Sequence, residues 1–363
     1  MEEINEFISV AQSFKIKGSV IKAEKITIGH INTTYRIFTD GEDDYILQKI
    51  NTDIFCDPYS LMENIMSVTS FLGKKILKNG GNPKRETLKL VETQDGRYFY
   101  RDDTGFYRMY IFITNSTSYN TAKKPILFHN AAIAFGRFQK LLSDFPAHKL
   151  HETIKNFHVT PSRYSDFIKS VERNASGRAD MVSNEIDFIK ERKDFCSIIT
   201  DKIASGEIPL RVTHNDTKLN NIMIDNDTDE GVCVIDLDTV MPGSLLYDFG
   251  DSIRFGASSA AEDEKDLSKV YMDLSLFEEY TKGFLSEAKD TMNETEIKML
   301  PVGAIMMTLE CGMRFLADHI DGDKYFALHY ENQNLDRART QLKLVSDMES
   351  KINLMNKVVE KYS

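Results

Sequence analysis

The stretch RVTHNDTKLNNIMIDNDTDEGVCVIDLDTVMPG, residues 211–243, threads Asp and Asn through Val, Ile, Leu and Met as a buried segment would. NIMID (221–225) and VCVID (232–236) each read as a short strand. The NDTDEG between them is rich in turn formers, and Asp225, Asn226, Asp227 and Asp229 suit turns of that kind. An antiparallel hairpin pairing Asp225 with Val232 sets Asn221 opposite Asp236, with Cβ atoms about 5 Å apart. Asp216 precedes the first strand at that same end. One amide oxygen and two carboxylates are therefore expected at one open edge.

Like charges so close resist joint ionisation unless something positive lies among them. Mg²⁺ suits such a place, because it takes a few oxygen ligands and brings waters and substrate phosphates. The order H-x-D-x4-N, followed by a hydrophobic strand ending in Ile-Asp, is that of phosphoryl transfer. There one Asp orients the attacking hydroxyl, while an Asn and a second Asp hold metal. In this chain those residues are Asp216, Asn221 and Asp236, with His214 as a scaffold for the loop.

Outward from the hairpin, the first third reads as β-rich. Three strands fit residues 20–51, a helix fits 60–77, and further strands fit 87–114. From Pro125 onward helical spacing dominates, in ILFHNAAIAFGRFQKLLSDF, in IDFIKERKDFCSIITDKIASG and in a long run near the end. The expected architecture is α+β and two-lobed: a small β-rich N-terminal lobe over residues 1–113, then a larger, mainly helical lobe over 114–363. A cleft at such a junction favours ligands.

The whole composition fits this reading. At 363 residues, 41% hydrophobic and 28% charged, the chain has ample core for a globular protein. Its balance of −11, without a basic stripe, argues against nucleic acid and anionic membrane as partners. Cys56, Cys196, Cys233 and Cys311 are scattered, as in a reduced protein. MEEINEFISVAQSF has helical spacing at Ile4, Phe7, Ile8, Ala11 and Phe14 and an acidic start unlike a signal peptide. No run of about twenty apolar residues is evident. A cytoplasmic location is expected.

The strings HINTTY, YILQ, RVTHNDTKLNNI, IDLDT, DFGDSIRFGAS and ECGMRFLAD, in this order, resemble the aminoglycoside phosphotransferase/choline kinase group, and within it the N-acetylhexosamine 1-kinases. The resemblance runs from about Gly18 to about Glu349 and implies a protein-kinase-like fold with the hairpin as its catalytic core. It also implies ATP as co-substrate with Mg²⁺, and small-molecule acceptors. Position by position, Asp216 matches the catalytic aspartate and Asn221 and Asp236 the metal ligands. Asp238 is left open between a second metal, the substrate and a structural role.

For the nucleotide, the resemblance points to Gly29, Thr33, Thr34, Gln48, Phe112 and Ile113. Gln48 stands where the group carries a phosphate-binding lysine, and Lys49 points to the opposite face. For the sugar it points to His30, Asn32, Asp216, Thr239, Arg314 and Tyr325. Arg314 is open between an acceptor contact and an ion pair with Glu310, one helical turn earlier. Asp248 and Asp251 of DFGDSIR are expected to brace the catalytic loop. Two further functions stay open: a kinase of the same fold acting on an aminoglycoside, choline or another amine, and a non-catalytic sugar or nucleotide sensor.

Overall fold

The computed structural model describes residues 2–27, 31–120 and 125–363. The chain divides into two compact units, one of Met1–Thr117, His148–Ile154 and Ile222–Met241, the other of Ser118–Ala147, Lys155–Asn221 and Pro242–Ser363. The expected α+β class holds, with a sheet in the first unit and mostly helices in the second.

In the first unit, strands β1 (Val20–Ile26), β2 (Thr33–Thr39), β3 (Tyr45–Lys49), β4 (Tyr100–Arg101) and β5 (Phe106–Ile111) form an antiparallel sheet in the order β1-β2-β3-β5-β4. The side chains alternate as a pleated strand requires. Tyr35, Ile37, Leu47, Tyr107 and Met109 turn to one face. There they pack with Phe7, Val10 and Ala11 of helix α1 (Glu2–Ala11) and with Phe14 just beyond it. Lys49 faces the same way, its Nζ 3.2 Å from Glu6 of α1. The opposite face carries a rung that reads Thr34↔Gln48 and Gln48↔Arg108 across three strands.

Helix α2 (Pro58–Lys78) starts where Asp57 caps the amides of Tyr59 and Ser60 and Pro58 occupies the first turn. Its Asn64 is buried and ties the unit's separate segments together. The Nδ2 donates to the carbonyls of His151 (2.8 Å) and Val240 (3.1 Å), and the Oδ1 accepts from the His151 amide. Strand β6 (Ser116–Thr117) pairs with β7 (Ile222–Asp225), which pairs with β8 (Gly231–Val234). In place of the strand expected near residue 90, isolated bridges form between Leu90 and Tyr110 and between Thr93 and Phe14.

The second unit contains α3 (Pro125–Leu141), α4 (Thr160–Arg173), α5 (Leu245–Gly256), α6 (Leu274–Ala288), α7 (Leu300–Asp321) and α8 (Gln333–Tyr362). The helical run expected over 186–206 is instead divided into Ser183–Lys190, a 3₁₀ turn and Ile198–Ala204. By length and composition α7 could cross a bilayer, but it is mostly buried, packed by α4, α5 and α8. The crossing of α5 and α7 is set by two glycines. A Cβ at Gly250 would lie 2.3 Å from the Gly303 carbonyl oxygen, and one at Gly303 2.6 Å from that of Leu246. Both obstacles are backbone, so neither can swing aside. Gly250→Ala is expected to cost about 1–3 kcal/mol by overpacking, read as a lower denaturation midpoint with an unchanged m-value. A midpoint equal to that of the wild type would contradict the close crossing.

Candidate active site

The loop that carries Asp216 begins after the strand Arg211–Thr213, and helix α5 holds it in place. Buried Asp248 accepts the amides of His214 (2.9 Å) and Asn215 (2.7 Å) and the Gln139 side chain (2.7 Å). Thr217 donates to the Asp248 carbonyl, and Ser252 donates to the Thr217 carbonyl at 2.7 Å. Burial pushes the Asp248 carboxyl up, partly offset by the neighbouring His214 and by the donors it accepts. Ring edges of Phe135 and Phe138 pack on His214, whose Nδ1 accepts the Asp216 amide at 3.3 Å. Asn215 adopts a left-handed conformation (φ 65°), which Asn tolerates and which turns the chain into Asp216.

Asp216 sits on this frame with Lys218 and Asn221. Lys218 Nζ is 2.7 Å from its Oδ1, and Asn221 Nδ2 donates to its Oδ2 at 2.9 Å and to its carbonyl at 2.8 Å. Burial raises the Asp216 carboxyl. The Lys218 ammonium, His214 and the Asn221 hydrogen bond outweigh it and hold the group below the usual range. Because Asn221 spends its Nδ2 on Asp216, its oxygen is turned to other use. Asp251 pairs with Arg254 at 2.9 Å rather than with the loop backbone.

In the first unit, the hairpin departs from the expected register. Ile222 pairs with Val234 and Met223 with Cys233, and a bulge follows, so Asp225 closes on the Glu230 carbonyl instead of facing Val232. Asn221 therefore lies in the 3₁₀ turn Leu219–Asn221 and not on a strand opposite Asp236. Asp225 caps its own turn through the Asp227 and Thr228 amides and pairs with Arg85. Past the strand end, Asp236 is exposed and left-handed (φ 59°), and it opens the turn Leu237–Thr239. Asp238 in that turn is buried, paired with Arg108 and accepting from Asn32 Nδ2 at 2.6 Å.

The remaining expected residues fall into small groups. Gln48 donates to Thr34 Oγ1 at 3.1 Å and accepts from Arg108 Nε at 2.9 Å. Thr33 lies beside it on β2, opposite Lys49. The Phe112 amide donates to the Asp44 carbonyl, and Ile113 is buried with its carbonyl taken by Ser116. Asn32 is held between Asp238 and the Asn51 amide, and Thr239 is buried. Gly29 and His30 lie outside the described residues.

Arg314 corrects one alternative. It forms no ion pair with Glu310, whose oxygens are taken by His158 and Thr160. Its guanidinium instead lies 5.5–5.9 Å from the rings of Phe157, Tyr325 and Phe326, a cation–π setting. Asp318 fixes the loop carrying Tyr325 by accepting three successive amides, Lys324 to Phe326.

A family model described as the phosphotransferase enzyme family, APH, matches residues 22–271. The chain belongs to the phosphotransferase enzyme family. Its fold is shared with solved structures of distant sequence. A microcompartment-associated aminopropanol kinase has a TM-score of 0.64 at 15% identity, covering 96% of this chain and 98% of its own. Choline kinase from Cryptosporidium parvum Iowa II has 0.60 at 12% identity, covering 99% of each chain. The amicoumacin kinase hAmiN, solved with AMP-PNP and Ca²⁺, has 0.60 at 14% identity, covering 96% of this chain and 93% of its own.

Sequence reading passed over two residues of this phosphotransferase. Lys218 is two positions after Asp216, in register to reach it. Arg108 shares a sheet face with Gln48, as strand alternation from Gln48's neighbour would have indicated. Among the described residues no three His, Cys, Asp or Glu side chains group as a metal cage. Asn221 in the second unit offers an amide oxygen and Asp236 in the first an exposed carboxylate, each a hard donor of the kind that Mg²⁺ takes.

Proposed function

We propose that this phosphotransferase moves the γ-phosphate of ATP to the anomeric hydroxyl of an N-acetylhexosamine, N-acetylglucosamine or N-acetylgalactosamine. Asp216 orients the C1 hydroxyl and accepts its proton, the sugar oxygen forms a bond to the γ-phosphorus, and ADP leaves. Lys218 keeps Asp216 anionic. Asn221 and Asp236 are the residues that would hold Mg²⁺, whose charge offsets that of the phosphate oxygens. Thr33, Thr34, Gln48 and Ile113, with Gly29, serve the nucleotide. Asn32, Thr239, Arg314 and Tyr325, with His30, serve the sugar.

The observation that carries the acceptor class is Arg314. Its guanidinium has no carboxylate partner among the described residues and lies among aromatic rings. A carbonyl such as that of an acetamido group satisfies it, whereas a quaternary or polyamine cation is repelled. The second reading, an amine acceptor, draws on similar structures whose names are those of aminopropanol and choline kinases.

A panel of N-acetylhexosamines, hexoses, choline, aminopropanol and an aminoglycoside, each with ATP and Mg²⁺, separates the two. Phosphorus NMR of the product should place the new ester on C1 of the acetamido sugars. Turnover of an amine with none of any sugar would sink the sugar assignment.

A further inference from the structure

Behind the turn that carries Asp236 lies a guanidinium that no step above uses. Arg108, on β5, is 1% exposed. Its Nη1 pairs with Asp238 Oδ1, and its Nε donates to Gln48 Oε1. Asp238 also accepts from Asn32, whose Oδ1 accepts the Asn51 amide, while Gln48 donates to Thr34. The result is one continuous chain, Thr34–Gln48–Arg108–Asp238–Asn32, with Arg108 and Asp238 buried and the rest partly so. It joins strands β2, β3 and β5 to the turn beginning at Asp236. Asp236 is itself among the negative charges that act on Arg108.

Such a pair is weak evidence for stability, since desolvating both ions offsets most of their attraction and an apolar pair of similar volume does as well. What it supplies is placement. Asp236 is a single left-handed residue between the strand and the turn, so anchoring Asp238 two residues on fixes the direction in which Asp236 projects. Arg108 stands directly across the ladder from Gln48.

We propose that Arg108 is a positioning residue for the metal-binding half of the reaction: it fixes Asp236 through Asp238. The proposal rests on the assignment of Asp236 as a metal ligand. Residues that orient a metal ligand typically change metal affinity or activity about 10- to 100-fold when removed.

The test is the double variant Arg108→Met/Asp238→Leu, which removes both charges together and leaves neither buried alone. Mn²⁺ binding in the presence of ADP is measured by electron paramagnetic resonance, and half-saturating Mg²⁺ by kinetics. A folded double variant should bind Mn²⁺ about 10- to 100-fold more weakly and need correspondingly more Mg²⁺. A folded double variant with wild-type Mn²⁺ affinity makes the pair purely structural and overturns the proposal. Should that variant not fold, Arg108→Lys decides, because it keeps the charge and loses the fork. Weaker Mn²⁺ binding is expected there, and wild-type affinity again overturns the idea. Wild-type protein that binds no Mn²⁺ with ADP overturns the functional reading as well, whereas wild-type binding with unaffected variants overturns this proposal alone.

Discussion

Asp216→Asn is expected to lower kcat by about 10³-fold, within the 10²–10⁴ range of a positioned proton acceptor, while sugar affinity stays near that of the wild type. The reason lies in what the substitution leaves alone. The loop is fixed by backbone amides on Asp248 and by Thr217 and Ser252, none of which involves the Asp216 side chain. An Asn is nearly isosteric and retains one oxygen to accept from Asn221 or Lys218. Lys218, about a third exposed, can turn to water when its carboxylate partner is lost. Stability should therefore change little, and the loss of some 4 kcal/mol falls on the barrier. Steady-state kinetics give kcat, and calorimetry with the sugar alone gives affinity without turnover. Near-normal kcat in a folded Asp216→Asn protein removes the proposed chemistry. A parallel collapse of thermal stability would reassign the carboxylate to a structural role.

Local chemistry made much of this molecule legible. Period-two alternation located β1 to β3 and put Lys49 and Gln48 on opposite faces, because one face must bury Tyr35 and Leu47. Turn chemistry sorted Asp225 from Asp216 correctly, since an Asx turn needs only neighbouring amides. The failures came where a distant partner decides. The hairpin register slipped because a bulge leaves Val232 extra opposite Met223/Ile224, and nothing in VCVID marks it. Glu310 and Arg314 have the spacing of a helical ion pair, yet His158 and Thr160 arrive from another segment with shorter hydrogen bonds and take both oxygens. Arg108 in FYRMYI looks like a surface residue on a strand until Asp238, 130 positions later, is brought against it.

Glu310 supports the second large expectation, a loss of about 3–5 kcal/mol of folding stability on Glu310→Ala. Its carboxylate is fully buried in α7 and accepts from His158 Nδ1 at 2.7 Å and Thr160 Oγ1 at 2.6 Å. The other His158 nitrogen lies 3.1 Å from the Asn215 carbonyl, so the cluster reaches the left-handed residue immediately before Asp216. Truncation leaves a buried imidazole and hydroxyl facing a void and frees that carbonyl. Catalysis should weaken together with stability. Burial pushes the Glu310 carboxyl up, but His158, Thr160 and the nearby Arg314 outweigh it and set it below its ordinary range. A lowered folded value means that the ionised group's contribution is complete above the unfolded value of about 4.3. It then fades as pH falls through the folded value. The stability gap between wild type and Glu310→Gln should therefore be widest near neutrality and close on acidification. A gap that widens instead, or a Glu310→Ala protein that melts with the wild type, would show that the cluster contributes nothing the helix packing does not already supply.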